Sequence, residues 1–455
     1  MHVDELVTWR RDLHRYPEAA WKEFRTTSLI ARHLEASGYS LLLGESLLAA
    51  PFVMGREVDV AAEKARALHQ GGDPAWLERM GDLTGVMGLL ETGRPGPTLA
   101  FRFDIDAVEV CESDDPHHPP VRDGFCSQNP GWMHACGHDG HTAIGLALAT
   151  RLMQHKAQLC GRIKLLFQPA EEGCRGGKAM ASGGALDDVD ALLCLHLGIH
   201  ADSGELVLNP TDFLCSTKFD VHFFGTPAHA GLEPNAGTNA LAAACSATTA
   251  LFGIPRHRDG MTRINIGTLQ GGSGRNVIAE HALLCGETRG AAPHLNDYMF
   301  GQVQRIVGGT ALAYGVTYRI IKQGEAQGLA NSPELLSELA PLARDEGLEV
   351  VPTRRFGASG QPAGAMGPHP GPLIHQGGGM APYSSMPITS SSWEIWWIWW
   401  VGWQTVSLKP GSCQQVDRPA SAAPAMSARG LSPTINTRRG SLTGNCDRAS
   451  SKIPP

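Results

Sequence analysis

The chain has 455 residues, 38 basic against 45 acidic, for a net charge of −7, and 42% of its residues are hydrophobic. That length suits two or three domains with a substantial core, and the acidic balance argues against a nucleic-acid or anionic-membrane partner. No apolar run reaches the roughly 18 residues of a membrane span, and the opening "MHVDELVTWRRDLHRYPEAAWKEF" mixes charges of both signs without the apolar stretch of a signal peptide.

Residues 6–38 carry apolar side chains at helical spacing (Leu6, Trp9, Leu13, then Trp21, Phe24, Leu29, Ile30, Leu34), interrupted at Pro17 and closed by "SGY". Two amphipathic helices are predicted. Residues 44–82 read as a charged helical insert ending in glycine-rich turns. "TGVMGLLETG" and "TLAFRFDID" are short strands bounded by Gly, Pro and Asp. "TAIGLALATRLMQHKA" is an apolar-faced helix, "GRIKLLFQPAEEG" a strand running into a turn, and "ALLCLHLG" another strand. Strands alternating with helices predict an α/β fold with a mostly parallel sheet, whose ligands bind at the carboxyl ends of strands. Asp104, Asp106, Glu171, Glu172 and His196 all fall at or near such ends.

From residue 213 to 325 the rhythm changes. "KFDVHFFGT", "TRINIGTLQGG", "HALLCGETRG" and "VTYRIIKQG" are strand-like, with helices at about 236–253 and 294–314. The order β-α-β-β-α-β predicts a ferredoxin-like inserted domain. Residues 357–455 carry three acids against seven bases, a local +4 that leaves −11 for the rest of the chain. "WEIWWIWWVGW" places six of ten tryptophans in eleven residues, an aggregation-prone pattern with no polar face.

Residues 134–141, "HACGHDGH", concentrate the chemistry. Cys136 and His138 are two apart and can face one side of an extended turn; thiolate with imidazole suits zinc, and imidazole with carboxylate also suits manganese. The adjacent Glu171 and Glu172 point to different sides, so one can ligate while the other faces water. His196 adds an imidazole to an apolar strand. Singly, each has an ordinary reading: a polar loop, a solvated helix start, a satisfied structural histidine. The 11 cysteines include no C-x-x-C pair, so most read as small buried residues in a reducing cytoplasm, and Cys136 lacks a nearby resolving partner.

"RRDLHRYPE", "RFDIDAV", "HACGHDGHTA", "QPAEEG", "GTPAHAG" and "GGSGRNVIA", in that order, resemble the M20 metallopeptidase/amidohydrolase family, in the branch that cleaves N-acyl amino acids. The resemblance covers about residues 5–358. It implies a discontinuous catalytic domain over residues 1–212 and 326–358, an inserted dimerisation or lid domain over 213–325, and an aberrant low-complexity tail over 359–455. It also implies two divalent metal ions, Mn2+ or Zn2+, with Cys136 shared between them and His138, Glu172 and His196 as further ligands. Glu171 would be the general base and Asp106 the acid that orients a ligand. His229 would reach the active site of a partner, a second copy or a related subunit, and stabilise the oxyanion. Asn239, Asn276 and Arg289 would bind the substrate carboxylate.

The implied reaction is hydrolysis of an aryl-acyl amino acid such as p-aminobenzoyl-glutamate. The alternatives are a general, hippurate-like N-acyl-amino-acid hydrolase, or a non-catalytic relative or partner subunit. The last follows from the end of the chain: after "FGAS" (356–359) the family's C-terminal ligand histidine and its Phe-Asp stretch do not follow. His369 and His375 match no family position and are not counted as ligands. A change of reading frame near Ser359 accounts for the abrupt shift, and translating the gene's other two frames should restore an acidic segment and a late histidine; if neither does, the idea fails.

Overall fold

The computed structural model describes residues 3–355 apart from 199, 200 and 203, together with the backbone of a strand at 373–376. The expectations for the tail, including His369 and the side chain of His375, lie outside the described residues. In chain order the first part runs α1 (Val3–Arg15), α2 (Phe24–Ala36), β1 (Ser40–Leu43), α3 (Val60–His69), α4 (Pro74–Arg79), β2 (Val86–Glu91), β3 (Thr98–Asp104), α5 (Pro119–Arg122), α6 (His138–Gln154), β4 (Arg162–Gln168), α7 (Gly176–Met180), β5 (Ala191–Leu197) and β6 (Glu205–Thr211). Then come β7 (Cys215–Phe224), α8 (Ala240–Phe252), β8 (Thr262–Gly271), β9 (His281–Gly290), α9 (Pro293–Tyr314) and β10 (Thr317–Ala326). The last are α10 (Pro333–Asp345), β11 (Glu349–Arg355) and β12 (Leu373–Gln376).

The first helix stops at Arg15, two residues before Pro17, whose ring disfavours a helical residue ahead of it. The insert at 44–82 is helical in two pieces, each started by an aspartate. Asp59 accepts from the Ala62 N–H at 3.1 Å, and Asp73 from the Ala75 N–H at 3.0 Å.

Eight strands form the larger sheet in the order β1-β2-β4-β3-β5-β12-β6-β11. It is mixed, with four parallel pairings and three antiparallel. β3 runs parallel to β4 and to β5, β5 to β12, and β6 to β11, whereas β1/β2, β2/β4 and β12/β6 are antiparallel. The parallel centre is buried on both faces, as crossover helices require. Phe101, Phe103, Ile163, Leu165, Phe167, Leu193 and Leu195 join one core with α1, α2 and α6; Ala100, Leu166, Leu192 and Cys194 join the opposite core with α7. Side chains alternate between the two, so the near-continuous apolar runs read from the sequence serve both layers.

Helix α6 lies tight on this sheet. A Cβ at Gly145 would come within 2.5 Å of the Phe167 ring and 2.8 Å of the Phe103 ring. We expect Gly145→Ala to destabilise the protein by about 1–3 kcal/mol through overpacking, read by urea or thermal unfolding; an unchanged midpoint would show that the helix can shift freely.

β7–β10 form a separate antiparallel sheet ordered β10-β7-β9-β8. Phe219, Val221 and Phe223 of β7 turn to α8 and α9, packing with Ala243, Ala247, Met299 and Val303. By alternation, Lys218, Asp220 and His222 fall on the other face.

Candidate metal centre

Because β4, β3 and β5 are parallel neighbours, their carboxyl ends share one edge of the sheet. Asp104 is the last residue of β3, with Asp106 two residues on, and β5 carries His196. β4 leads through Pro169 and Ala170 into Glu171 and Glu172. Ala170 adopts φ 50°, a left-handed conformation that costs a non-glycine residue roughly 1–2 kcal/mol. Its N–H is held at 2.8 Å by the fully buried Glu23, which also accepts from the Thr84 hydroxyl at 2.6 Å.

The Cys136–His138 segment is not the extended turn expected. Gly137 sits at φ 83°, ψ 16°, and His138 is the first residue of α6, so the helix begins four residues before "TAIG". A left-handed glycine lets the chain turn sharply there, and Asp139 in the first turn complements the helix dipole.

The edge gathers three overlapping ligand groups whose donor atoms lie within 4.8 Å of one another: Cys136, His138 and His196; His138, Glu171 and Glu172; and Asp104, His138 and His141. His138, fully buried, is common to all three. Its Nδ1 donates to the Asp106 carbonyl at 2.8 Å, which leaves the Nε2 lone pair as its ligating atom. The Asp106 carboxylate accepts from the Glu171 and Glu172 backbone N–H groups, each at 2.9 Å, and so fixes the turn that presents both glutamates. Two buried atoms at the centre have no hydrogen-bond partner among the described residues: Nε2 of His138 and Oε1 of Glu172. Such atoms are costly unless something fills the gap, and an imidazole nitrogen and a carboxylate oxygen are donors that a divalent cation takes.

The electrostatics point the same way. Burial alone would lower the His138 pKa, but the charge of Asp104 and the bond to Asp106 hold it well above the ordinary value. Burial, then the charge of Glu172, pushes Glu171 up to about 7. Burial also raises Glu172 and takes the Cys136 thiol up to about 12. Burial and mutual repulsion thus hold protons on groups around His138 that could ligate, and a bound cation would reverse those shifts.

The other predicted residues lie elsewhere. His229 is exposed, with its Nδ1 accepting from the Gly231 and Leu232 N–H groups at 3.1 and 3.2 Å. Asn239 caps α8 by accepting from the Ala242 N–H at 3.0 Å, and Asn276 is exposed. Arg289 pairs with Glu287 of its own strand at 2.8 and 3.2 Å.

Sequence reasoning missed the support around the ligands. His141 Nδ1 bonds Asp104 and its Nε2 accepts from the Leu197 N–H at 2.9 Å; its place in the helical period beside His138 was the available signal. Behind α6, the buried His14 reaches Asp139 with Nδ1 and Glu112 with Nε2, each at 2.9 Å, and Arg10 joins Asp139 at 3.3 Å.

Burial would lower His14, but the bonds to Asp139 and Glu112 outweigh it and raise its pKa from 6.5 to about 9. The folded value exceeds the unfolded one, so His14 stabilises fully below pH 6.5 and its contribution is lost as pH rises through about 9. We expect His14→Gln to cost about 3–5 kcal/mol near neutrality, as for a buried ion pair robbed of one partner. It should also flatten the alkaline decline measured by urea unfolding; an identical decline in both proteins would assign it to another group.

The sequence model of peptidase family M20/M25/M40 matches residues 100–368. The A subunit of p-aminobenzoyl-glutamate hydrolase from Escherichia coli (strain K12) is 47% identical over 338 residues, 74% of this chain and 78% of that protein. Indole-3-acetyl-aspartic acid hydrolase of Enterobacter agglomerans is 47% identical over 334 residues, 73% of this chain and 77% of that protein. Among solved structures, an aminobenzoyl-glutamate utilization protein from Klebsiella pneumoniae superposes with a TM-score of 0.75 at 37% identity, covering 87% of this chain and 95% of that one.

Proposed function

Since the chain belongs to peptidase family M20/M25/M40, we propose that its centre hydrolyses the amide bond of N-acyl amino acids, with p-aminobenzoyl-glutamate, cleaved to p-aminobenzoate and glutamate, as the substrate. The observation that carries this reading is the meeting of Cys136, His138, Glu171, Glu172 and His196 at one sheet edge, with Nε2 of His138 and Oε1 of Glu172 buried there without a hydrogen-bond partner among the described residues. Two relatives support the substrate class, since their names pair an aromatic acyl group with glutamate in one case and aspartate in the other.

Cys136, His138, Glu172 and His196 would hold two divalent ions, manganese or zinc, which when bound polarise an amide carbonyl and lower the pKa of water. The protein's own residues do the rest. Glu171, near pKa 7, suits a general base that takes a proton from water and returns it to the leaving nitrogen. Asp106 sets the position of Glu171 and Glu172 through their N–H groups. His229 has its Nδ1 filled, so its proton sits on Nε2, the donor an oxyanion needs. Being exposed on the second sheet, it suits delivery to the site of a partner.

Residues 1–212 with 326–358 form the catalytic domain in this reading, and 213–325 an inserted ferredoxin-like lid that pairs with a second copy or a related subunit. The Escherichia coli relative is named as one of a hydrolase's subunits, which favours the related subunit. Asn239, Asn276 and Arg289 would meet the substrate carboxylate, Arg289 after exchanging Glu287 for it. The compartment would be the cytoplasm; no helix among the described residues is long and apolar enough to cross a membrane.

A panel of p-aminobenzoyl-glutamate, hippurate and N-acetyl amino acids tests the substrate. The aryl-acyl glutamate should have the highest kcat/KM; equal or better turnover of hippurate would replace this reading with that of a general amidohydrolase.

A further inference from the structure

Against the second sheet lies a cleft of about 500 Å³, walled in part by the cations Lys22, Arg175 and Lys218 and the carboxylates Glu57, Glu109, Asp220 and Glu287. The volume suits a small-molecule site. Its three cations differ in their commitments. Lys22 is paired with Glu109 at 3.0 Å, and Lys218 with Glu287 at 3.4 Å, a carboxylate that also holds Arg289. Arg175 has no ion pair with any described residue.

The guanidinium of Arg175 is nonetheless held in place. Its Nη1 donates to the Gly55 carbonyl at 3.1 Å, and its Nε is buried without an acceptor. A Cβ at Gly173 would stand 2.7 Å from Nε and one at Gly55 3.0 Å, so two left-handed glycines leave the slot it occupies. Three residues after Glu172 in the chain, a preset cation with unused donors therefore lines this cleft.

Building on the N-acyl amino acid reading above, we infer that Arg175 receives the side-chain carboxylate of an acidic leaving amino acid. The planar guanidinium matches a carboxylate with two parallel hydrogen bonds. The walls hold four carboxylates, Glu57, Glu109, Asp220 and Glu287, which repel a substrate anion, so it would settle at the one cation without an ion pair among the described residues. The chain would accordingly prefer N-acyl-glutamate or N-acyl-aspartate to neutral amino acids of equal size.

Equilibrium binding separates this assignment from the reading it rests on. The full chain carrying Glu171→Gln, loaded with Mn2+, is titrated with p-aminobenzoyl-glutamate and with p-aminobenzoyl-glutamine, followed by the aminobenzoyl fluorescence. The glutamate form should bind at least about tenfold tighter, the low end for a charge-assisted hydrogen bond. Adding Arg175→Gln should erase most of that preference while sparing the affinity for the glutamine form. A merely structural arginine would weaken both ligands alike, and that result, or an unchanged preference, overturns the assignment. Binding of neither ligand would remove the N-acyl amino acid reading, and this inference with it.

Discussion

His138→Ala should empty the metal centre. His138 belongs to all three ligand groups, and its Nε2 is buried at their meeting point without a hydrogen-bond partner among the described residues. Its Nδ1 is already spent on the Asp106 carbonyl, so the ring has one orientation and one lone pair to offer. Removal takes away the one ligand that all three groups share. Bound divalent metal, measured by elemental analysis after dialysis, should fall below one ion per chain. Activity should fall by at least about 10²-fold, the upper end for losing even a residue that only supports a ligand. Full metal content in the variant would show that the cluster is held together for some other purpose.

Glu171→Gln should separate chemistry from binding. Glutamine keeps the shape of the side chain, and the backbone N–H of residue 171 still reaches Asp106. It cannot take a proton from water, so kcat should drop by about 10²–10⁴-fold, the usual worth of a general base. Metal content should stay at the parent level and KM should change little. The matching change at Glu172 should lose metal as well, because the Oε1 of Glu172 is buried without a partner while Glu171 carries the near-neutral pKa. Equal metal loss from both variants would mean that the two glutamates do not divide the work in this way.

The strand ends were the legible part of the site. Apolar runs stopping at Asp104, Gln168 and Leu197 bring Asp106, Glu171, Glu172 and His196 to one edge, because parallel neighbours end together. The start of α6 was not legible: "HDGH" is polar and glycine-containing, yet these residues are fully buried, and only the tertiary setting makes them helical. β1 and β6 themselves escaped notice because β1 is four residues long and β6 carries Pro210, so neither gave a clean strand signal.

Asn239 and Arg289 have local partners that the sequence reading passed over. An asparagine directly before an alanine-rich helix is an N-cap by its chemistry, and it caps α8. Glu287 and Arg289, two apart on one strand, share a face and pair with each other. Both local partnerships could have been read from spacing alone. Arg175 lay one residue past "QPAEEGC" and drew no attention, since its significance rests on two glycines, one of them distant in sequence, and on which other cations are already paired.

Release of p-aminobenzoate from p-aminobenzoyl-glutamate by the full chain, metal-free and then supplied with Mn2+ or Zn2+, decides whether the centre is a metal-dependent amidohydrolase. The metal-free protein should release none, added metal should give turnover, and Glu171→Gln should abolish it. Folded, metal-loaded protein that releases no p-aminobenzoate would contradict the amidohydrolase reading.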